Sequence, residues 1–354
     1  RLTPAPAAAP NGAMDMLNNT PRRPVDLPLD VPAPSVDAAR AALLVAQCPV
    51  AGATPLVDAP ELAAIAGVGS LHIKDERNRM GLGSFKALGA AYVIACDASD
   101  CTAKGRTYVT ASAGNHGMSV AAGAAAFGAR AVVYIAETVP EAFAARLRDI
   151  GAEVRREGAI YEDSMAAAMA AAEAEGFALL SDSSWDGYYD RPHRLMEGYL
   201  VLMDEAIRQM PQPPTHLFLQ AGVGGLAGAC AALARKAWGE AVQIVVVEPD
   251  AAPALHASVT AGRAVTTQGP VSAMGRLDCK EPSLIALKGL ARDADVFLLI
   301  SEGEGAAGAA ACAQHGVPST PSGAAGVSGL ITAAQALNLG PDSRVLCILS
   351  EGPE

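Results

Sequence analysis

From residue 71 onward the chain alternates short apolar runs with longer alanine-rich segments, and this alternation constrains the fold more than any other feature of the sequence. The runs are rich in Val, Ile, Leu or Tyr, and most of the segments between them have helical periodicity. Strands that alternate with helices form mostly parallel sheets whose faces the helices cover, and ligands lie beyond the carboxyl ends of the strands. We therefore expect an α/β fold. The predicted strands are 71–74, 107–110, 131–136, 177–181, 216–220, 243–248, 296–300 and 344–349.

The start of the chain does not follow this alternation. Residues 1–10 are rich in Ala and Pro and lack the charged-then-apolar pattern of a signal peptide, so we expect residues 1–20 to be a disordered arm. Residues 21–60 are punctuated by prolines, and one helix is predicted near residues 36–45.

Charge and cysteine content narrow the range of functions. A net charge of −11 argues against a nucleic-acid partner or an anionic membrane surface. No uncharged run is long enough to span a membrane, because Arg130 interrupts the most apolar region. The 7 cysteines form no C-x-x-C pair, so we expect neither a metal site nor a disulfide framework, and a reducing cytoplasm is the simplest location.

The segment 81–90 places Lys86 between small residues and an apolar run that is typical of a helix. Burial disfavours an ammonium group, so we expect the pKa of Lys86 to be lowered, which suits an amine that forms a Schiff base. The alternative is a lysine at a helix start that extends to solvent, as most lysines do.

The predicted strand 107–110 is followed by a possible anion site. Ser112 and the backbone amides after it could bind a carboxylate, and Asn115 could offer its amide to a ring oxygen. An ordinary helix N-cap is the alternative, because Ser and Asn both favour that position.

A glycine-rich loop follows the predicted strand 216–220. Residues 222–226 could bind a phosphate through backbone amides at the start of a helix. The loop also satisfies G-x-G-x-x-[GA], and Glu248 ends the next strand, so a nicotinamide-dependent dehydrogenase is a rival hypothesis from another class.

Together, these segments occur in the order found in one family. The chain resembles the fold-type II pyridoxal-phosphate (PLP) enzymes over nearly all of residues 45–352, and within them it is most similar to the diaminopropionate ammonia-lyases. The motif Asp182-x-x-Trp185-x-Gly187-Tyr188 is the most specific part of this likeness. One departure is Ala113, where that lyase family usually has an aspartate that is thought to act as a second base for one enantiomer.

The resemblance implies roles for particular residues. Lys86 would bind PLP and remove the substrate α-proton, and Asp182 would recognise a β-amino group or act as a second acid or base, although it could instead be a helix N-cap. Ser350 would face the pyridine nitrogen. The implied cofactor-binding residues are Lys86, Asn115, Gly222, Val223, Gly224, Gly225, Leu226 and Ser350. The implied substrate-binding residues are Ser112, Ala113, Gly114, Asn115 and His116, of which His116 has the weakest case for a catalytic role.

The resemblance also implies two open, mostly parallel twisted sheets flanked by helices, with PLP between two domains. We expect a large domain from residues 21–96 and 206–354 and a small mobile domain at residues 97–205. The implied reaction is β-elimination from a small amino acid similar to 2,3-diaminopropionate, giving a 2-oxo acid and ammonia in amino-acid catabolism. A serine/threonine or 3-hydroxyaspartate dehydratase and a PLP-binding protein without turnover remain alternatives. Homodimerisation is expected from the resemblance.

Overall fold

The structure is a computed structural model that describes residues 15–353. Two sheets flanked by helices make up this part of the chain, as predicted. The strands are β1 (Met16–Asn18), β2 (Leu56–Asp58), β3 (Ser70–Asp75), β4 (Thr107–Ala111), β5 (Arg130–Ile135), β6 (Glu153–Arg156), β7 (Ala178–Leu179), β8 (His216–Gln220), β9 (Gln243–Pro249), β10 (Val296–Ile300) and β11 (Arg344–Leu349).

Twelve α-helices lie within residues 15–353. They are α1 (Ala38–Val45), α2 (Pro60–Ala66), α3 (Lys86–Ser99), α4 (Asn115–Ala126), α5 (Glu141–Asp149), α6 (Tyr161–Glu175), α7 (Asp190–Gln209), α8 (Gly225–Trp238), α9 (Ala254–Ala261), α10 (Leu284–Asp293), α11 (Glu302–Gln314) and α12 (Ala325–Ala333). Short 3₁₀ turns occur at Arg79–Gly81 and Gly239–Ala241. No helix in residues 15–353 combines the length and apolar character needed to cross a membrane.

The larger sheet has the strand order β1-β10-β9-β8-β11-β3-β2. Its five inner strands are parallel, and β1 and β2 close the two edges in antiparallel pairing. β1 corrects part of the predicted disordered arm, because Met16–Asn18 pair with β10; residues 1–14 of that arm lie outside the described residues.

The smaller sheet has the order β6-β5-β4-β7, and all its strands are parallel. Its four strands lie within residues 97–205, the range predicted for the small domain. The boundaries of the two domains and their relative motion stay predictions.

Three buried clusters hold these layers together. The largest joins α3, α4, α7, α8 and α10 to one face of the larger sheet and to the smaller sheet. A second cluster covers the opposite face of the larger sheet with α2, α11 and α12, and a third covers the outer face of the smaller sheet with α6. Two contacts bring the carboxyl ends of the sheets together: Lys86, after β3, pairs with Asp182, after β7, and Asn115, after β4, pairs with Glu351, after β11.

Candidate active site

The predicted amine lies at the start of α3, where Lys86 is the first helical residue. Its Nζ donates a hydrogen bond to Asp182 Oδ2, across 96 positions of sequence. The two side chains retain only 22% and 21% of their exposure, so this ion pair is largely shielded from water. The structure thus brings together the two residues that were predicted to be catalytic.

Because of this ion pair, the pKa of Lys86 shifts in the direction opposite to the prediction. Burial by itself would lower the pKa, but the charge of Asp182 and its hydrogen bond outweigh it, so the pKa of Lys86 is raised. The prediction of a lowered pKa, which considered burial alone, is wrong for the cofactor-free protein. Burial likewise opposes the charge of Asp182, yet Lys86 and His116 together hold the pKa of Asp182 below its usual range.

Asp182 is carried by the loop that follows β7, not by a helix start. The next helix begins at Asp190, so the helix N-cap alternative for Asp182 is excluded. Tyr188 fixes the loop, because its hydroxyl donates to Leu179 O at 2.8 Å and accepts from Ser181 N at 3.2 Å.

His116 lies on the first turn of α4, beside the same loop. Its Nε2 donates to Leu180 O at 2.8 Å, since a carbonyl can only accept. Nδ1 is buried without a hydrogen-bond partner among residues 15–353. Burial lowers the pKa of His116, which favours the neutral imidazole with its proton on Nε2.

The loop between β4 and α4 has the compact shape expected of an anion-binding turn. Ser112 Oγ accepts from Gly114 N at 3.3 Å. Gly117 permits the close approach of α4, because a Cβ there would lie 2.1 Å from Ser112 O. Ala113, Gly114 and Asn115 remain partly accessible. The predicted substrate-binding residues therefore form one continuous turn at the amino end of a helix.

Glu351 is a buried residue of this site that the sequence analysis did not identify. It is 5% exposed, and its carboxylate accepts hydrogen bonds from Asn115 Nδ2 and Thr320 Oγ1. Arg276 Nε lies 3.5 Å from the same carboxylate. The sequence clue to Glu351 was its position directly after Ser350, the residue to which the resemblance had assigned a role.

Ser350 is buried beside the loop that leads to Lys86. Its carbonyl accepts from Phe85 N at 3.0 Å, and Ser84 and Glu351 form an isolated antiparallel bridge. The backbone at the end of β11 is thus hydrogen-bonded to Phe85, the residue that immediately precedes Lys86. The orientation of the Ser350 hydroxyl toward a ring stays a prediction.

The glycine loop between β8 and α8 packs tightly at Gly222 and makes ordinary van der Waals contacts at Gly225. A Cβ at Gly222 would lie 2.9 Å from Cys279 Sγ, and Gly224 adopts φ +95°, a conformation that favours glycine. A Cβ at Gly225 would meet nothing nearer than 3.7 Å. Val223 O accepts from Ser283 N at 3.0 Å, which fixes the loop.

The first turn of α8 carries the backbone amides of a helix start, which favour an anion. Leu226, on that turn, is buried and holds the helix against the core. The turn lies beside Asp182, whose carbonyl oxygen would be 3.8 Å from a Cβ at Gly225.

Two further side chains near this turn were missed as site residues. Tyr199 is 1% exposed and lies 3.7 Å from the same Cβ position. Cys279 lies against the glycine loop, and burial raises the pKa of its thiol to about 12, so the group stays protonated at neutral pH.

Glu248 does not occupy the position that the dehydrogenase hypothesis requires. It is fully buried, and its two carboxylate oxygens accept from Leu255 N and His256 N, each at 2.8 Å. The acid therefore caps α9 and is not available to a ribose hydroxyl. The position of Glu248 at a strand end, which had favoured a dinucleotide-binding site, is thus explained by its role in capping α9.

Comparisons with known proteins agree with this geometry. Residues 48–351 match a protein family described as "Pyridoxal-phosphate dependent enzyme". The diaminopropionate ammonia-lyase of Salmonella typhimurium is 35% identical over 261 residues, which span 66% of this chain and 65% of that protein, just under two thirds. The enzyme of the same name from Escherichia coli K12 is 32% identical over 276 residues, or 72% of this chain and 69% of that protein.

A solved structure extends the likeness to most of the fold. The crystal structure of Escherichia coli diaminopropionate ammonia-lyase with an aminoacrylate-PLP azomethine reaction intermediate superposes with a TM-score of 0.86. It is 28% identical in sequence and covers 96% of this chain and 94% of that chain.

Proposed function

The chain belongs to the family of pyridoxal-phosphate-dependent enzymes, and on that premise we propose that it is an ammonia-lyase that catalyses β-elimination from a small amino acid. The leading substrate is 2,3-diaminopropionate, which would yield a 2-oxo acid and ammonia. The observation that carries this proposal is the largely buried ion pair between Lys86 and Asp182, which places a base and an acid in one site. The names of the relatives support the choice of substrate.

The predicted resemblance, fold class and cofactor are confirmed by the family match and by the solved relative. The roles of individual residues are part of the proposal.

The residues present fit PLP in three respects. The backbone amides at the start of α8, directly after the glycine loop, favour a phosphate. Lys86 supplies an amine, and the turn of residues 112–115 supplies backbone amides for a carboxylate. Two buried polar atoms, His116 Nδ1 and the Tyr199 hydroxyl, have no partner among the residues described, so the region can accept a further polar molecule.

The chemistry divides between the cofactor and the chain. When bound, PLP supplies the electron sink that makes the substrate α-proton acidic. Residues 112–115 hold the substrate carboxylate, and the Lys86 amine takes the α-proton once it is neutral. The β-amino group must be protonated to leave as ammonia, and the Asp182 carboxylate stabilises this β-ammonium form. Residues 222–226 hold the cofactor phosphate.

A dehydratase acting on 3-hydroxyaspartate is the second candidate, because of the surroundings of the carboxylate-binding turn. The chain has Ala113, at the position where, by the resemblance described above, the lyase family usually has an aspartate. Arg276 approaches the same turn, since its Nε would be 3.6 Å from a Cβ at Gly114. A cation at this position, even partly offset by Glu351, would favour a substrate with a second carboxylate over one with a β-ammonium group.

Product release from the PLP-loaded protein tests these candidates. The panel holds both enantiomers of 2,3-diaminopropionate, serine and threonine, together with 3-hydroxyaspartate. Diaminopropionate should release two ammonia molecules per 2-oxo acid, whereas a hydroxy amino acid should release one, so the ratio identifies the leaving group. Lys86→Ala should abolish both products. Turnover of hydroxy amino acids alone would reject the lyase in favour of a dehydratase.

The experiment also tests the rival class of a PLP-binding protein without turnover. Absence of product from every substrate, with PLP bound at full occupancy, would support that class and reject the ammonia-lyase.

We further propose that the protein is a cytoplasmic homodimer with a role in amino-acid catabolism. The cytoplasmic location is supported by the cysteines, all of which are free thiols. The dimer is supported by the family resemblance, and light scattering at micromolar concentration tests it against a monomer.

A further inference from the structure

Tyr199 carries a buried hydroxyl whose hydrogen-bonding capacity is unused within residues 15–353. The side chain is 1% exposed, and its oxygen has no hydrogen-bond partner there. A buried hydroxyl without a partner is unfavourable, and native structures seldom retain one without a reason. Replacement by phenylalanine would remove the unfavourable group without changing the shape of the ring.

The ring cannot readily turn to find another partner. Phe85 packs edge-on against it, with ring centroids 4.8 Å apart and an interplanar angle of 61°. On another side, a Cβ at Gly89 would lie 2.8 Å from Tyr199 Cε1, so the ring is in close contact with the backbone of α3. The packing therefore fixes the ring, and the oxygen it carries, in one place.

That place borders the first turn of α8. The Cβ position of Gly225, the first residue of the helix, is 3.7 Å from Tyr199 Cε2 and 3.8 Å from Asp182 O. Phe85, which contacts the ring, immediately precedes Lys86. Burial raises the pKa of Tyr199, so the hydroxyl stays protonated and can act as a donor.

We infer that the Tyr199 hydroxyl donates a hydrogen bond to the phosphate of PLP, as a side-chain supplement to the backbone amides of residues 222–226. A phosphate presents several acceptor oxygens, and Tyr199 lies beside a helix start that favours an anion. The inference depends on family membership and on the position of the hydroxyl, and it does not depend on which substrate the enzyme uses.

The test compares Tyr199→Phe with the wild type in binding of PLP to the cofactor-free protein, followed by absorbance and fluorescence. Loss of one hydrogen bond to a charged group predicts a rise in Kd of about tenfold or more. The thermal midpoint of the cofactor-free variant should be unchanged or raised, because the hydroxyl has no partner to lose. An unchanged Kd for PLP would overturn the inference.

Tyr108→Phe is the matched control. Tyr108 is also fully buried, but its hydroxyl already has a partner, because it donates to Asp97 Oδ2 at 2.8 Å. This variant should lose thermal stability and keep the wild-type Kd for PLP, which is the opposite pattern.

Pyridoxal, which lacks the phosphate, locates the contact on the cofactor. Tyr199→Phe should bind pyridoxal as well as the wild type does. Equal weakening for PLP and pyridoxal would assign the hydroxyl to the ring or to Lys86 and would overturn the phosphate contact. Because no substrate is present, the result is independent of whether the proposed elimination occurs.

Discussion

Lys86 and Asp182 form an ion pair in surroundings where either charge alone would be unfavourable. Burial opposes both charges, and the ion pair compensates for it, so the amine is an ammonium in the cofactor-free protein. A protonated amine cannot attack a carbonyl, so Lys86 must lose a proton before it can bind PLP covalently. We therefore expect Asp182 to slow cofactor attachment at neutral pH, although it is proposed to assist the reaction itself.

Asp182→Asn should make covalent attachment of PLP faster at pH 7. Without the carboxylate, burial is left to lower the pKa of Lys86, so a larger fraction of the amine is neutral. In the wild type the attachment rate should keep rising with pH into the alkaline range, and in the variant the rise should occur at lower pH. Stopped-flow absorbance of the lysine-bound cofactor measures both profiles.

Asp186→Asn provides the control for that experiment, because Asp186 is exposed on the same loop. Its profile should coincide with that of the wild type. A rate for Asp182→Asn that is equal to or slower than the wild-type rate at pH 7 would contradict the assigned effect of the carboxylate. Turnover of diaminopropionate by Asp182→Asn should fall by about 10²-fold or more if the side chain assists departure of ammonia.

At the scale of single residues, the sequence predicts which residues belong to the site more reliably than it predicts which of them contact one another. Lys86 and the glycine loop were predictable because each belongs to a short local pattern. The contact of Lys86 with Asp182 and that of Asn115 with Glu351 join residues 96 and 236 positions apart. Only tertiary packing creates such pairs, which is why the direction of the Lys86 pKa was mispredicted.

The helix pair α3 and α7 determines where these residues lie relative to one another. α3 begins with Lys86, and α7 carries Tyr199. The helices meet at two glycines: a Cβ at Gly198 would lie 2.5 Å from Leu88 O and 2.9 Å from Gly89 Cα. Backbone contacts this close allow no side chain at the crossing.

Gly198→Ala should therefore separate the two helices and disturb the site. Overpacking of this kind costs about 1–3 kcal/mol, so the free energy of unfolding in urea should fall by that amount. The Kd for PLP should rise as well, because Lys86 moves relative to α7. Gly303→Ala is the control, since this helical glycine of α11 has nothing within 4 Å of its Cβ position. The control should be neutral or slightly stabilising, and equal effects of the two substitutions would argue against close packing as the cause.

At the scale of secondary-structure elements, the strands show which elements the sequence pattern does not predict. The eight predicted strands all have counterparts, because each is a buried apolar run, including the two-residue β7 at an edge of the smaller sheet. β1, β2 and β6 were missed. The first two have only three residues each and lie at edges, and β6 has the sequence Glu-Val-Arg-Arg, whose charged side chains form ion pairs at the edge of the smaller sheet. Edge strands are specified by their partner strand more than by their own composition.

At the scale of the whole molecule, a buried charged cluster connects the larger sheet to α7. Its members are Lys74, Glu76, Arg79 and Glu205, which are 0%, 0%, 1% and 6% exposed. Lys74 Nζ and Arg79 Nη2 both donate to Glu205 Oε2, at 2.6 Å and 2.7 Å, and Arg79 Nε donates to Glu76 at 2.7 Å. Two positive and two negative groups balance, so the cluster is neutral as a whole. It fixes the segment that leads to Lys86 against the helix that carries Tyr199.

Removal of one charge from this cluster should destabilise the entire fold, not only the site. Glu205→Gln leaves two buried cations with one carboxylate, which predicts a loss of about 3–5 kcal/mol in the free energy of unfolding at pH 7. Burial raises the pKa of Glu205, but Arg79 and Lys74 outweigh it and hold the pKa below its ordinary value. The contribution is therefore complete above a pH of about 4.3, the usual value for glutamate, and is lost as the pH falls through the lower folded value. Urea titrations should accordingly show a difference in the free energy of unfolding between variant and wild type that is largest at neutral pH and smaller in acid.

Asp204→Asn is the control for Glu205→Gln, because it removes an exposed ion pair with Arg208 on the same helix. It should lower the free energy of unfolding by less than about 1 kcal/mol. A loss as large as that of Glu205→Gln would show that the effect of the cluster does not come from its burial.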